Sequence, residues 1–203
     1  EILIGLVGSE MCIRDRAYTI SYNLAGGSLP TGKTNPTTFT INSKPMDLVQ
    51  PKREGYTFEG WSGTDIKEKD TQVTVTARPL KDRTYTANWK ENSYTIVFNV
   101  EGEVTRGEMK NIPLRYTQET TIPENGYVCG GYKFVGWRTG GKKSEQKVYQ
   151  PGDKVSRLCA TNNGTVNLYP IWEPCEYTIT FDYQTGNKPV SYTHLRAHET
   201  DQY

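Results

Sequence analysis

The only two histidines of the chain, His194 and His198, stand four residues apart in HLRAHE. That spacing would place two imidazoles on one helix face as ligands for a metal ion. A metal centre needs at least a third protein ligand, and none is offered at a suitable spacing. Cys129, Cys159 and Cys175 contain no CxxC pair. With no further histidine, a His-based general base, a nucleophile triad and a zinc centre all lack their central residue. The carboxylates Asp65, Asp70 and Glu124 show no spacing that suggests an acid–base pair, and no nucleophile motif accompanies them. Lys142 and Lys143, in GGKKSEQK, could offer cations to a ligand together with exposed tyrosines, or simply form a solvated polar loop. The expectation is a chain with no catalytic, cofactor-binding or metal residues, and no cofactor.

The histidine pair is weakened further by its context. Codons chosen for EILIGLVGSEMCIRDR at the start of the chain, read on the opposite strand, encode VSYTHLRAHETDQY at its end. The shared nucleotide text resembles a transposase-type sequencing adapter. Residues 1–16 and 190–203 are therefore read as adapter-derived and set apart from the fold, together with His194, His198 and Cys12.

Without those ends the charge changes from Lys+Arg 24 against Asp+Glu 23 to 21 against 18, three cationic and five anionic residues being removed. A balance of about +3 is too mild to imply a nucleic-acid partner. No apolar stretch is long enough to span a bilayer. Thr, Tyr, Val, Gly, Asn and Pro are frequent and Ala and Leu scarce, the vocabulary of strands and turns. Cys129 and Cys159 could pair as a disulfide in an exported protein, or remain buried or free thiols.

The elements that would position any site repeat along the chain. AYTISYNLAGG, SYTIVFNVEGE and EYTITFDYQTG begin at Ala17, Ser93 and Glu176. Each alternates apolar and polar residues: Tyr18, Ile20, Tyr22 and Leu24, then Tyr94, Ile96, Phe98 and Val100, then Tyr177, Ile179, Phe181 and Tyr183. Period two predicts strands with one buried face. A central GYTFEGW (Gly55–Trp61) or GYKFVGW (Gly131–Trp137) follows, and TYTANW or VNLYPIW closes the unit at Trp89 or Trp172. All four tryptophans occupy these landmarks. Trp89 to Tyr94 and Trp172 to Tyr177 are equal steps, as in a regular tandem array. The opening tyrosines lie 76 and 83 residues apart, enough for each unit to own a small core.

Within GYxFxGW, Tyr56 and Phe58 share a strand face while Trp61 falls on the other. A β-bulge at Gly60, and likewise at Gly136, would return Trp61 and Trp137 to the core. The alternative is an aromatic platform stacking on sugar rings. Helix signals are thin: PMDLVQP (Pro45–Pro51) allows about one turn. Asn125-Gly126 reads as a tight hairpin turn and Asn163-Gly164 as another, and Thr71–Ala77 as short alternating strands of an edge or insertion hairpin.

These motifs, twice in the same order, resemble the Listeria–Bacteroides repeat, also called the internalin B-repeat family. The residues that carry the resemblance are YTISYNLAGG, GYTFEGW and TYTANW, then YTIVFNVEG, GYKFVGW, QPGDKV (Gln150–Val155) and LYPIW. In the second unit Glu101-Gly102-Glu103 replaces the glycine pair. The resemblance implies a mainly β or α+β fold of tandem β-grasp-like, ubiquitin-like modules on short linkers, each sheet partly wrapping a short helix. It implies a bacterial cell-surface or secreted protein, and brings no catalytic residues with it.

The expected organisation is residues 1–16 adapter-derived, 17–91 first module, 92–174 second module, 175–189 the truncated first strand of a third, and 190–203 adapter-derived. The expected function is a non-catalytic stalk or spacer associated with adhesion, reaching the cell wall through other regions of its parent protein. The competing reading is a module that binds host surface glycans or proteins, and a remoter one is an accessory region of a secreted enzyme. The end segments are expected to be irregular, and the lone third strand poorly packed or opportunistically docked.

Overall fold

The computed structural model of the chain describes residues 16–100, 104–140, 146–181 and 190–195. Those residues form strands and turns with no helix. The chain divides into two compact units whose main boundary falls between Asn92 and Ser93.

In the first unit the opening strand Tyr18–Asn23 runs parallel to the closing strand Arg83–Glu91. The central strand Tyr56–Gly63 lies antiparallel on the other side of the closing strand. Thr38–Phe39 and Ile66–Asp70 form the two edges, giving five strands. The second unit repeats this order with Ile112–Arg115, Ser93–Phe98, Gly164–Pro174, Tyr132–Thr139 and Val148–Tyr149. The register repeats as well: Ile20 stands opposite Arg83, and Ile96 opposite Val166.

The predicted alternation is the packing face of these sheets. Ile20 is buried between exposed Thr19 and Ser21, and Tyr94, Ile96 and Phe98 are all buried. Val100 departs from the pattern and is exposed, because the strand has ended at Phe98. Trp61 and Trp137 are fully buried, one in each hydrophobic core, so they are no platform for sugars.

The bulges that bring them inward are present. Pairing runs Phe58 to Trp89 and then Gly60 to Asn88, leaving Glu59 as the extra residue, and the second unit skips Val135 in the same way. The glycines serve different ends. Gly60 has φ +125°, and a Cβ there would lie 2.7 Å from the Asp70 backbone. At Gly136 the obstacle is the neighbouring edge, where a Cβ would lie 2.9 Å from Gln150 Nε2.

Several expectations are corrected. The helical turn expected at PMDLVQP is instead the short strand Met46–Asp47, paired with Thr74–Val75. Val75 is fully buried and Leu48 nearly so, and tertiary pairing of this kind outweighs a weak local preference flanked by prolines. The wrapped helix implied by the resemblance is therefore absent from the described residues. Asn125-Gly126 forms no hairpin. Asn125 accepts from Tyr127 N through Oδ1 and donates to Tyr127 O through Nδ2, an internal bracing of extended chain. Asn163, at φ 55°, does end a turn, but it leads directly into the closing strand and not between two antiparallel neighbours. In QPGDKV, Asp153 N donates to Gln150 O across Pro151 and Gly152 (φ +92°), the residue pattern of a type II turn.

The third opening strand, Tyr177–Phe181, pairs antiparallel with Val190–Leu195. Part of the segment set apart from the fold is therefore a strand. The pairing is antiparallel, as it is for Thr38–Phe39 and Ile112–Arg115 in the complete units. An opening strand presents free backbone donors and acceptors, and the alternating VSYTHL segment satisfies them. Tyr177 is nonetheless 51% exposed where Tyr94 is 1% exposed. The expectations for residues 1–15, 182–189 and 196–203 lie outside the described residues.

Truncating a fully buried indole should open one unit. Trp61→Ala is expected to destabilise the first unit by about 3–5 kcal/mol, and Trp137→Ala the second by a similar amount. Hydrogen exchange mapped by residue should show protection lost in the mutated unit and retained in the other.

The buried phenols set a pH limit. Burial raises the Tyr22, Tyr94, Tyr127 and Tyr149 hydroxyls above their ordinary value. Tyr22 donates to Pro36 O at 2.7 Å and Tyr127 to Phe98 O at 2.9 Å, bonds that only the neutral phenol can make. Their stabilisation is complete below the unfolded value near about 10 and is lost as pH rises through the higher folded values. Urea midpoints should be flat across neutral pH and fall steadily in the alkaline range above it.

Candidate functional site

The groups that could do chemistry are dispersed. Asp65 pairs with Lys81 at 2.9 Å, and both are about half exposed. Asp70 accepts from the Gln72 amide at 2.9 Å, and Glu124 is an exposed loop residue. Asp65 and Asp70 have separate partners within the first unit, and Glu124 belongs to the second. Cys129 is buried, Cys159 and Cys175 are half-buried, and none of the three is in a disulfide, so the Cys129–Cys159 pairing is not formed. His194 lies on the strand Val190–Leu195, where a four-residue spacing no longer keeps a helix face. His198, Lys142 and Lys143 lie outside the described residues. Among the described residues no group of three or more His, Cys, Asp or Glu could hold a metal ion.

What the sequence repeats most faithfully is instead a structural centre. In the first unit Phe58 meets Trp61 edge-on at 5.6 Å between ring centroids and Trp89 at 5.4 Å, while Tyr22 meets Trp61 at 6.0 Å. In the second, Phe134 meets Trp137 at 5.1 Å and Trp172 at 5.8 Å, with Phe98 at 4.8 Å from Trp137. The shared motif is therefore a Trp–Phe–Trp ladder across the central and closing strands. Edge-to-face geometry suits the ring quadrupoles and adds about 0.5–1.5 kcal/mol per pair beyond area burial. The closing tryptophans, Trp89 and Trp172, are only half-buried at its outer end.

The glycine pair of the first unit belongs to the same centre. Leu24 to Gly27 is a tight turn closed by Gly27 N to Leu24 O at 2.9 Å, with positive φ at Ala25 (47°) and Gly26 (83°). That combination at both central positions suits glycine at the second. Gly27 has a separate reason to lack a side chain: a Cβ would lie 2.4 Å from Trp89 Cζ2. Trp89 Nε1 also donates to Leu24 O at 3.0 Å. The turn and the outer indole therefore fit only together. The matching Glu101-Gly102-Glu103 lies outside the described residues.

Two cations escaped sequence reasoning. The Arg53 guanidinium stacks 3.7 Å from the Tyr56 ring centroid, and its Nη1 donates to Ala25 O at 2.9 Å, tying the central strand to the glycine turn. Arg53 stands three residues before Tyr56, a spacing that predicts nothing until the turn between them is known. Arg83 is buried, lies over the Phe39 ring at 4.3 Å and donates through Nη2 to Pro79 O at 3.0 Å. Its register partner in the second unit is the apolar Val166, so the alternation itself marks this position as inward-facing.

The same centre built twice on one strand order decides the comparison with known proteins. The Listeria–Bacteroides repeat domain matches residues 18–88 and again 94–169. The chain belongs to the Listeria–Bacteroides repeat family. It is similar to internalin H of Listeria monocytogenes, 30% identical over 130 residues, covering 63% of this chain and 22% of that protein. It is also similar to a putative Gly-rich membrane protein of Evansella cellulosilytica, 25% identical over 171 residues, 84% of this chain and 18% of that protein. A putative membrane protein of the same organism is 26% identical over 172 residues, again 84% of this chain, and 23% of its own length. The chain thus spans about a fifth of the length of these curated relatives. No solved structure matches. No helix among the described residues is long and apolar enough to cross a membrane.

The fit between Gly27 and Trp89 is directly testable. Gly27→Ala is expected to destabilise the first unit by about 1–3 kcal/mol through overpacking. Pairing it with Trp89→Leu should recover part of that loss, measured as a non-additive double-mutant cycle in urea unfolding.

Proposed function

We propose that residues 17–91 and 92–174 are two self-contained modules of a bacterial cell-surface or secreted protein, with 175–189 opening a third, and that the array acts as a non-catalytic spacer holding other parts of the parent protein away from the cell. One observation carries the reading. The same five-strand order and the same Trp–Phe–Trp ladder are built twice, with an equal five-residue step from each closing Trp to the next opening Tyr. A module that keeps its core and its linker while its loops change is suited to setting distance. The relatives support the setting, one being named an internalin and two being named membrane proteins. The dispersal of Asp65, Asp70 and Glu124 supports the absence of catalysis.

A spacer must yield to force module by module. Pulled from its two ends, the chain should give two separate unfolding events, each releasing on the order of 25 nm of contour length. Trp61→Ala should remove or weaken one event and leave the other. A single event abolished by that substitution would refute self-contained modules. Hydrolytic turnover of polysaccharide or peptide by the purified chain would refute the non-catalytic reading.

A further inference from the structure

The second unit carries a small basic cavity that its spacer role does not use. It measures about 330 Å³, and its lining includes Lys147, Arg157, Thr139, Ser156, Tyr149 and Leu158. No aspartate or glutamate is among its described lining residues. Neither the Lys147 ammonium nor the Arg157 guanidinium has a carboxylate partner among the described residues, where Lys69, Lys81 and Lys154 each have one. Two exposed cations lining one cavity, without a carboxylate partner among the described residues, raise the local concentration of anions.

The cavity is held by backbone that is hard to move. Lys147 N donates to Thr139 Oγ1 at 2.9 Å, and Thr139 N donates back to Lys147 O at 2.9 Å, locking this end of the hairpin. Arg157 has φ 55°, a left-handed conformation uncommon outside glycine, and its amide donates to Tyr116 O at 2.9 Å. The strained residue thus carries one of the two cations, as strained residues at binding sites often do. The half-buried Tyr149 and Leu158 line the same cavity, together with Thr139 and Ser156. Such a lining meets a ring that is apolar on its faces, rich in hydroxyls at its edge, and negatively charged at one substituent.

The first unit lacks the site, which separates it from the shared fold. Tyr149 stands opposite Trp137, and Asp70 stands opposite Trp61. Two residues before these come Lys147 and Glu68, of opposite charge. Two residues past the buried Val155 and Val75 come Arg157 and Ala77. The cations therefore belong to one copy only, and the sheet does not need them.

We infer that this cavity of the second unit binds the anionic group of an acidic sugar, a uronate carboxylate or a sugar sulfate, within a polysaccharide. The binding is additional to the spacer role and independent of it.

Nuclear magnetic resonance titration of the full chain tests this, using oligogalacturonate, a heparin-derived hexasaccharide, neutral cellohexaose and poly-glutamate. Saturable shifts at Lys147, Tyr149 and Arg157 with a charged sugar, and none with cellohexaose, are expected. Oligogalacturonate alone would identify a carboxylate, the heparin fragment alone a sulfate, and both a site that reads charge and ring. Affinity should fall as salt rises. It should drop about tenfold (some 1.4 kcal/mol) in Lys147→Glu with Arg157→Gly, the glycine keeping the left-handed backbone. Arg53→Ala, in the first unit, should leave it unchanged. No binding of either charged sugar, equal binding of poly-glutamate, or affinity unmoved by the double substitution would each overturn the assignment. The unfolding events under force report on the spacer reading separately.

Discussion

A tryptophan following a strand in odd phase must reach the core, and the backbone must shift by one residue to let it. That constraint organises both units. The extra residue at Glu59 or Val135 turns Trp61 or Trp137 from the outer to the inner face, where each is fully buried against a phenylalanine and a second aromatic ring. The bulge costs a ladder bond and needs a glycine beside it. Burial of an indole, at several kcal/mol, outweighs that cost. Once the indole is inside, the closing strand must run beside the bulge, and the opening strand must lie parallel on its far side. The sheet order therefore follows from where two rings have to be.

The outer end of the ladder shows how a turn becomes tied to the same centre. Gly27 leaves room for Trp89, whose indole N–H in turn binds Leu24 O in the turn. Arg53 then fastens the neighbouring segment by stacking on Tyr56 and donating to Ala25 O. Such contacts bind segments far apart in sequence, which suits a small module with little core to spare. The surface away from this centre is released from the fold, and there the two copies diverge. Glu68 and Ala77 in one copy stand where Lys147 and Arg157 stand in the other. Repetition preserves the core and leaves the rim open to acquire a ligand of its own.

Family membership is consistent with this division of labour. Internalin H and the two Evansella cellulosilytica proteins share the repeat across a fifth of their length, while the rest of each lies beyond the match.

The sequence alone carried the repeat, the buried face of the first two opening strands and the inward turn of Trp61 and Trp137. Each of these rests on periodicity or on a glycine beside an aromatic residue, which are local signals. The partner strands were not legible in it, because pairing across the sheet joins residues distant in the chain. Tertiary pairing drew Met46–Asp47 into a strand where flanking prolines suggested a helical turn, and left Asn125-Gly126 as braced extended chain. It also paired VSYTHL with the third opening strand, since a free sheet edge accepts any segment able to extend. Arg53, Arg83, Lys147 and Arg157 look alike in the sequence. Only the folded positions of Tyr56, Phe39 and the basic cavity separate a clamp from a buried cation, and both from the cations that line a cavity, because a charge acquires its role from what the fold places beside it.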